Sequence, residues 1–144
     1  MTNANLQVQP GQNPSPDWIK TQAQNSTLWY SYQYTGGTDG HGGMEVTVGQ
    51  GSQTLNVALD TDNRRYTISD VTLGDPQQQL RISGARSGNN ITIIDKNDTV
   101  ELNGYYGLYV TDGNANNVVV YCDPMIKNEP QNPPQARMRH KQAQ

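Results

Sequence analysis

Between Leu28 and Cys122 the chain repeats one pattern: apolar side chains at every second position in short runs, with Gly, Asn and Asp gathered between the runs. Leu28, Tyr30, Tyr32 and Tyr34 form the first run, Met44, Val46 and Val48 the second, and Leu55, Val57 and Leu59 the third. Tyr66 with Ile68, Leu80 with Ile82, Ile91 with Ile93, Tyr106 with Leu108 and Val110, and Val118 with Val120 and Cys122 complete the series. Successive side chains of a strand point to opposite faces, so this spacing predicts about eight half-buried antiparallel strands. The clusters between them, such as Gly49-Gln50-Gly51, Ser87-Gly88-Asn89 and Asp112-Gly113-Asn114, supply the positive φ that tight hairpins need. No segment sustains a helical period. The expected fold is an all-β antiparallel sandwich, immunoglobulin-like, with irregular N- and C-terminal ends.

Proline sets the expected boundaries. Of the 8 prolines only Pro76 lies between Leu28 and Cys122. Because proline cannot donate to a strand ladder, the proline-poor stretch, residues 28–130, reads as the sandwich domain. Residues 1–27 read as a polar, partly disordered arm, in which Asp17-Trp18-Ile19-Lys20 fits a short strand or a single helical turn equally well. Residues 131–144, with Arg137, Arg139 and Lys141 and no acid, read as a disordered basic tail.

Composition narrows the partners. Hydrophobic residues make up 33% of the chain and charged ones only 16%, so Asn, Gln, Ser and Thr must solvate the surface. Phe is absent, which leaves aromatic packing to Tyr and Trp, and Tyr can keep its hydroxyl at a wet rim. A net charge of −3 argues against nucleic acid or anionic membrane as the main partner, since both demand a basic face. The single Cys122 excludes an intramolecular disulfide. Met1 to Pro16 has neither the positive start nor the apolar stretch of a signal peptide, and no segment approaches the ~20 apolar residues of a membrane span. A cytoplasmic location is the expectation.

The last apolar run stops at Asp123-Pro124, and Glu129-Pro130 follows six residues later. With Met125-Ile126-Lys127-Asn128 between these dipeptides and Tyr105 to Asp112 before them, the layout from Met44 to Pro130 resembles the DP-EP family of small bacterial β-sandwich proteins. The family motif falls on Asp123, Pro124, Glu129 and Pro130. The resemblance implies a sandwich similar in build to bacterial inclusion-body proteins, and it implies no enzymatic activity.

Candidate chemistry is sparse. A nucleophile needs a base within hydrogen-bond reach, and only His41 and His140 are present, one in a glycine-rich loop and one in the tail. Cys122 has the inward parity of the last strand, where it behaves as a small hydrophobe. Asp60 with Asp62, Asp95 with Asp98, and Asp112 with Asn114 sit in turns, yet Arg65 and Val71 stand where a calcium loop requires Gly and Glu. Turn acids bonding their own backbone explain them better, and no metal or cofactor is expected. Gly36 to Gly43 lacks the Lys-Ser/Thr and helix of a phosphate loop and reads as flexible. Trp29 has the opposite parity to Tyr30, Tyr32 and Tyr34, so at least one aromatic faces outward amid Asn, Gln and Thr. The expected function is a non-catalytic binding or self-association module, with a homodimer favoured. The alternative is a carbohydrate-recognition domain in which Trp29, Tyr30 and Tyr32 contact a glycan.

Overall fold

In a computed structural model, described over residues 1–75, 77–100, 102–123 and 135–142, these residues form eleven strands in two sheets and no helix. The strands are β1 (Thr2–Pro10), β2 (Ile19–Gln22), β3 (Trp29–Gly36), β4 (Met44–Thr47), β5 (Gln53–Leu59), β6 (Tyr66–Gly74), β7 (Leu80–Ser83), β8 (Asn90–Asp95), β9 (Asn103–Asp112), β10 (Val118–Cys122) and β11 (Arg137–Lys141). The runs predicted from period-two spacing are β3 to β10, in order. One sheet has the order β2-β3-β1-β5-β8-β7, with β1 and β5 parallel and the other pairs antiparallel. In the other, β9 pairs with β6 along one edge, while the opposite edge is shared by β11 at Asn103–Tyr105 and β10 at Leu108–Asp112. β4 completes that sheet, parallel to β11. One buried cluster joins the inner faces of both sheets.

The ends correct the expected boundaries. Residues 1–27 are no disordered arm, since β1 lies in the middle of the six-stranded sheet with Ala4, Leu6 and Val8 buried. Amides at every other position hid this alternation; on a strand they simply form the outer face. The Asp17–Lys20 ambiguity resolves as a turn followed by β2. The basic tail also contains a strand, β11, inserted between β9 and β4 with Met138 buried. Its polar His140 turns inward against Asp95, a pairing no hydrophobic pattern could disclose. Of the DP-EP motif, Asp123 follows β10, while Pro124, Glu129 and Pro130 lie outside the described residues.

Tyrosine takes the place of phenylalanine in the core, and the hydroxyls of Tyr30, Tyr32, Tyr34 and Tyr106 find acceptors there, while the buried Tyr66 hydroxyl has none among the described residues. Tyr34 donates to the carbonyl of Cys122 at 2.7 Å and Tyr32 to that of Asp123 at 2.6 Å, where β10 leaves the sheet. Tyr106 donates to the carbonyl of Gly42 at 2.6 Å. The rings of Tyr34 and Tyr106 meet edge to face at 5.5 Å, and burial pushes both hydroxyls well above the ordinary phenol range. A phenylalanine core would fill this space and forfeit those three hydrogen bonds.

The stretch Gly36 to Gly43 is fixed. Asp39 Oδ1 accepts from the His41 and Gly43 amides at 2.8 and 3.0 Å, and Ala136 N donates to His41 O at 2.8 Å. Gly42 has a φ of +82° and lies against Tyr34, so a side chain there would collide with the core.

Candidate ligand-binding face

The alternation that buries Ala4, Leu6 and Val8 turns Asn3, Asn5, Gln7 and Gln9 outward on β1. Neighbouring strands continue the face in register: Gln7 lies opposite Gln33 and Asn5 opposite Thr35 on β3, and Asn3 lies opposite Asn56 on β5. Asn56 in turn faces Thr92 on β8, whose hydroxyl is 3.3 Å from Asn56 Oδ1. The outward positions of these four central strands are amides and hydroxyls with Trp29, Ala58 and Ile94, and none is charged.

Trp29 stands at one end of this face and is 42% exposed. Its position is set by the chain that follows β1, where Gly11 N donates to Trp29 O at 2.8 Å. Ser31 donates to Gly11 O and accepts from Asn13 N, each at 2.8 Å, which buries Ser31 beneath that segment. Leu28, which shares the parity of Tyr30, Tyr32 and Tyr34, precedes β3 and is exposed beside Trp29. Tyr30 and Tyr32 are removed from the expected site because both are buried in the core. Tyr32 is tied to the Asp123 carbonyl, and Tyr30 donates to Asp112 Oδ2 at 2.5 Å. The structure thus separates Trp29 from the tyrosines and sets it on the same outward parity of β3 as Gln33 and Thr35, with the covered Ser31 between them.

The turn acids bond protein groups. Asp62, Asp95 and Asp112 accept from the backbone amides two residues on, at 3.1, 2.9 and 3.0 Å. Asp112 is fully buried and is also gripped by Arg65, whose Nε and Nη2 lie 2.8 and 2.9 Å from its two oxygens. Burial pushes the Asp112 carboxyl up, but Arg65, Tyr30 and the Asn114 amide together outweigh it and hold the group below the ordinary carboxylate range. Beside it, burial pushes the Tyr66 hydroxyl up to about 12.

His140 and Asp95 form a second buried pair, Nε2 to Oδ2 at 2.7 Å, with no exposed surface on either side chain. Nδ1 lies 2.8 Å from Thr99 O. A carbonyl only accepts, so Nδ1 carries a hydrogen, and one further proton lies between Nε2 and the carboxylate. Both ring nitrogens are thereby engaged and sealed from solvent. Cys122 is fully buried, and burial pushes its thiol up, away from the reactive thiolate. The side chains on the six-stranded face can therefore donate, accept and stack, and no nucleophile and base meet there.

Comparison with family models, with curated proteins and with solved structures finds no match to the chain. No helix among the described residues is long and apolar enough to cross a membrane. The amides of β1 were missed in the sequence although their signal was present: apolar residues at 4, 6 and 8 require polar ones at 3, 5, 7 and 9 to share the other face.

Proposed function

We propose that the protein is a non-catalytic recognition domain whose six-stranded outer face binds a neutral carbohydrate. The observation that carries the reading is the charge-free array of Asn, Gln and Thr on adjacent strands, ending in exposed Trp29. A sugar offers many hydroxyls and an apolar ring face, which amides and an indole satisfy respectively, while an uncharged surface spares both partners the desolvation of ions. Support for a non-catalytic role comes from the sealed His140–Asp95 pair and the buried Cys122. The resemblance to the DP-EP family, in its described part Asp123 and the paired strands β9 and β10, gives a bacterial β-sandwich setting for this reading.

Self-association through a strand edge has less support. The free side of β6 is occupied where Gly88 exchanges backbone hydrogen bonds with Ile68 and the Arg86 guanidinium donates to Val71 O, and edge strands β2, β4, β7 and β10 are short. Light scattering at tens of micromolar tests for a homodimer through an outer face.

Calorimetric titration against a panel of neutral oligosaccharides tests the proposal. At least one should bind, and Trp29→Ala should weaken it about tenfold or more while the thermal midpoint stays within a few degrees. Equal binding by the variant, or no binding across the panel, overturns the reading.

A further inference from the structure

The other side of the sandwich is built differently. On the outer face of the five-stranded sheet Tyr105 is 39% exposed, and its ring lies over Gly74, where an added Cβ would meet ring atoms at 2.3 Å. Tyr121 crosses Gly107 in the same way, its hydroxyl 3.0 Å from Thr72 Oγ1 and its ring stacked on Tyr109 at 4.5 Å. Tyr121 is thus held between neighbours, whereas the exposed part of Tyr105 is available to a ligand.

Arg137 is the register partner of Tyr105 on β11. Side chains opposite one another on neighbouring strands have Cβ atoms about 5 Å apart, so a ring resting against Tyr105 lies within reach of the guanidinium. The other arginines of this face are paired, Arg139 with Glu45 at 3.5 Å and Arg86 with Asp70 at 3.2 Å. Among the described residues Arg137 has no such acid. An acidic chain therefore places one unneutralised cation beside its exposed tyrosine.

We infer that Tyr105 and Arg137 form a second binding site, for a sugar ring that carries a carboxylate. The ring would rest on Tyr105, and the planar guanidinium fork would take the carboxylate through two parallel N–H donors. This site lies on the opposite side of the sandwich from Trp29 and takes a different class of ligand, so it does not depend on the reading of the six-stranded face.

The test is calorimetric titration of the full chain with trigalacturonate, in parallel with a neutral trisaccharide. Trigalacturonate should bind, more weakly at raised salt, and both Arg137→Gln and Tyr105→Leu should lower its affinity about tenfold while Trp29→Ala leaves it unchanged. Circular dichroism should find all three variants folded, since each changed side chain is on the surface. Absence of trigalacturonate binding at millimolar concentration, loss in only one of the two face variants, or loss in Trp29→Ala overturns the site. Failure of every neutral sugar with trigalacturonate binding retained would count against the six-stranded face alone.

Discussion

The two outer faces of this sandwich arise from the same alternation of side chains and differ in whether those side chains satisfy one another. On the five-stranded sheet they do outside Tyr105 and Arg137: Tyr121 bonds Thr72 and stacks on Tyr109, Arg139 meets Glu45, and Arg86 meets Asp70. On the central strands of the six-stranded sheet the cross-strand side-chain bond is that of Thr92 with Asn56; Gln9 accepts from Asn13 Nδ2 at 3.2 Å, and the amides of Asn5, Gln7 and Gln33 make no side-chain hydrogen bond among the described residues. Amides hydrated in the free protein can exchange water for a ligand's hydroxyls without unmaking the fold. Stability therefore resides in the core and in the self-paired part of the five-stranded face, while the neutral-sugar recognition proposed above would fall on the amide face.

The largest expected effect comes from alkali. Burial raises the hydroxyls of Tyr30, Tyr32, Tyr34 and Tyr106 above their unfolded values, so their contribution is complete below about pH 10 and is lost as the pH rises further. Absorbance at the phenolate band should show them ionising together with loss of the far-ultraviolet β signal; ionisation before unfolding would contradict their place in the core. Asp112 has the opposite sign. Its folded carboxyl is held down, so the stability it adds is present above about pH 4 and lost as the pH falls below that, an acid limb that Arg65→Ala should erase.

Next comes the pair that fastens β11. His140→Ala would leave the Asp95 carboxylate buried without its partner, with an expected loss of about 3–5 kcal/mol in urea unfolding. A loss below about 1 kcal/mol would place the ring in solvent, where exposed ion pairs contribute that little.

Smaller effects sharpen the contrast within the five-stranded face. Gly107→Ala presses a methyl into the Tyr121 ring, held by Thr72 and Tyr109, and should cost about 1–3 kcal/mol. At Gly74 the obstructing ring belongs to exposed Tyr105, which can swing away, so Gly74→Ala should cost less; equal losses would mean that Tyr105 is as fixed as Tyr121. The smallest effect belongs to the amide face, where Gln7→Glu should change stability by less than about 0.5 kcal/mol.

How far the sequence disclosed this molecule depended on which interactions set each element. β3 to β10 announced themselves because apolar residues at every second position bury one face and nothing else is needed. β1 carried the same signal in Ala4, Leu6 and Val8, masked by a background of amides resembling that of a disordered arm. β11 carried almost none, since its anchors are Met138 and a histidine whose partner lies 45 residues away. The candidate site was half legible. Parity set Trp29 apart from Tyr30 and Tyr32 without deciding which side faces outward, and Tyr30 and Tyr32 were assigned to a ligand when their hydroxyls serve Asp112 and the Asp123 carbonyl, distant contacts that no local pattern contains.

The most direct measurement is an amide and side-chain NMR titration of the full chain with a neutral oligosaccharide selected from the panel. Shifts should cluster on the Trp29 indole and on the side-chain amides of Asn5, Gln7 and Gln33, which form one contiguous patch on β1 and β3. Shifts confined to the five-stranded face, or none at saturating sugar, would contradict the assignment of recognition to the amide face.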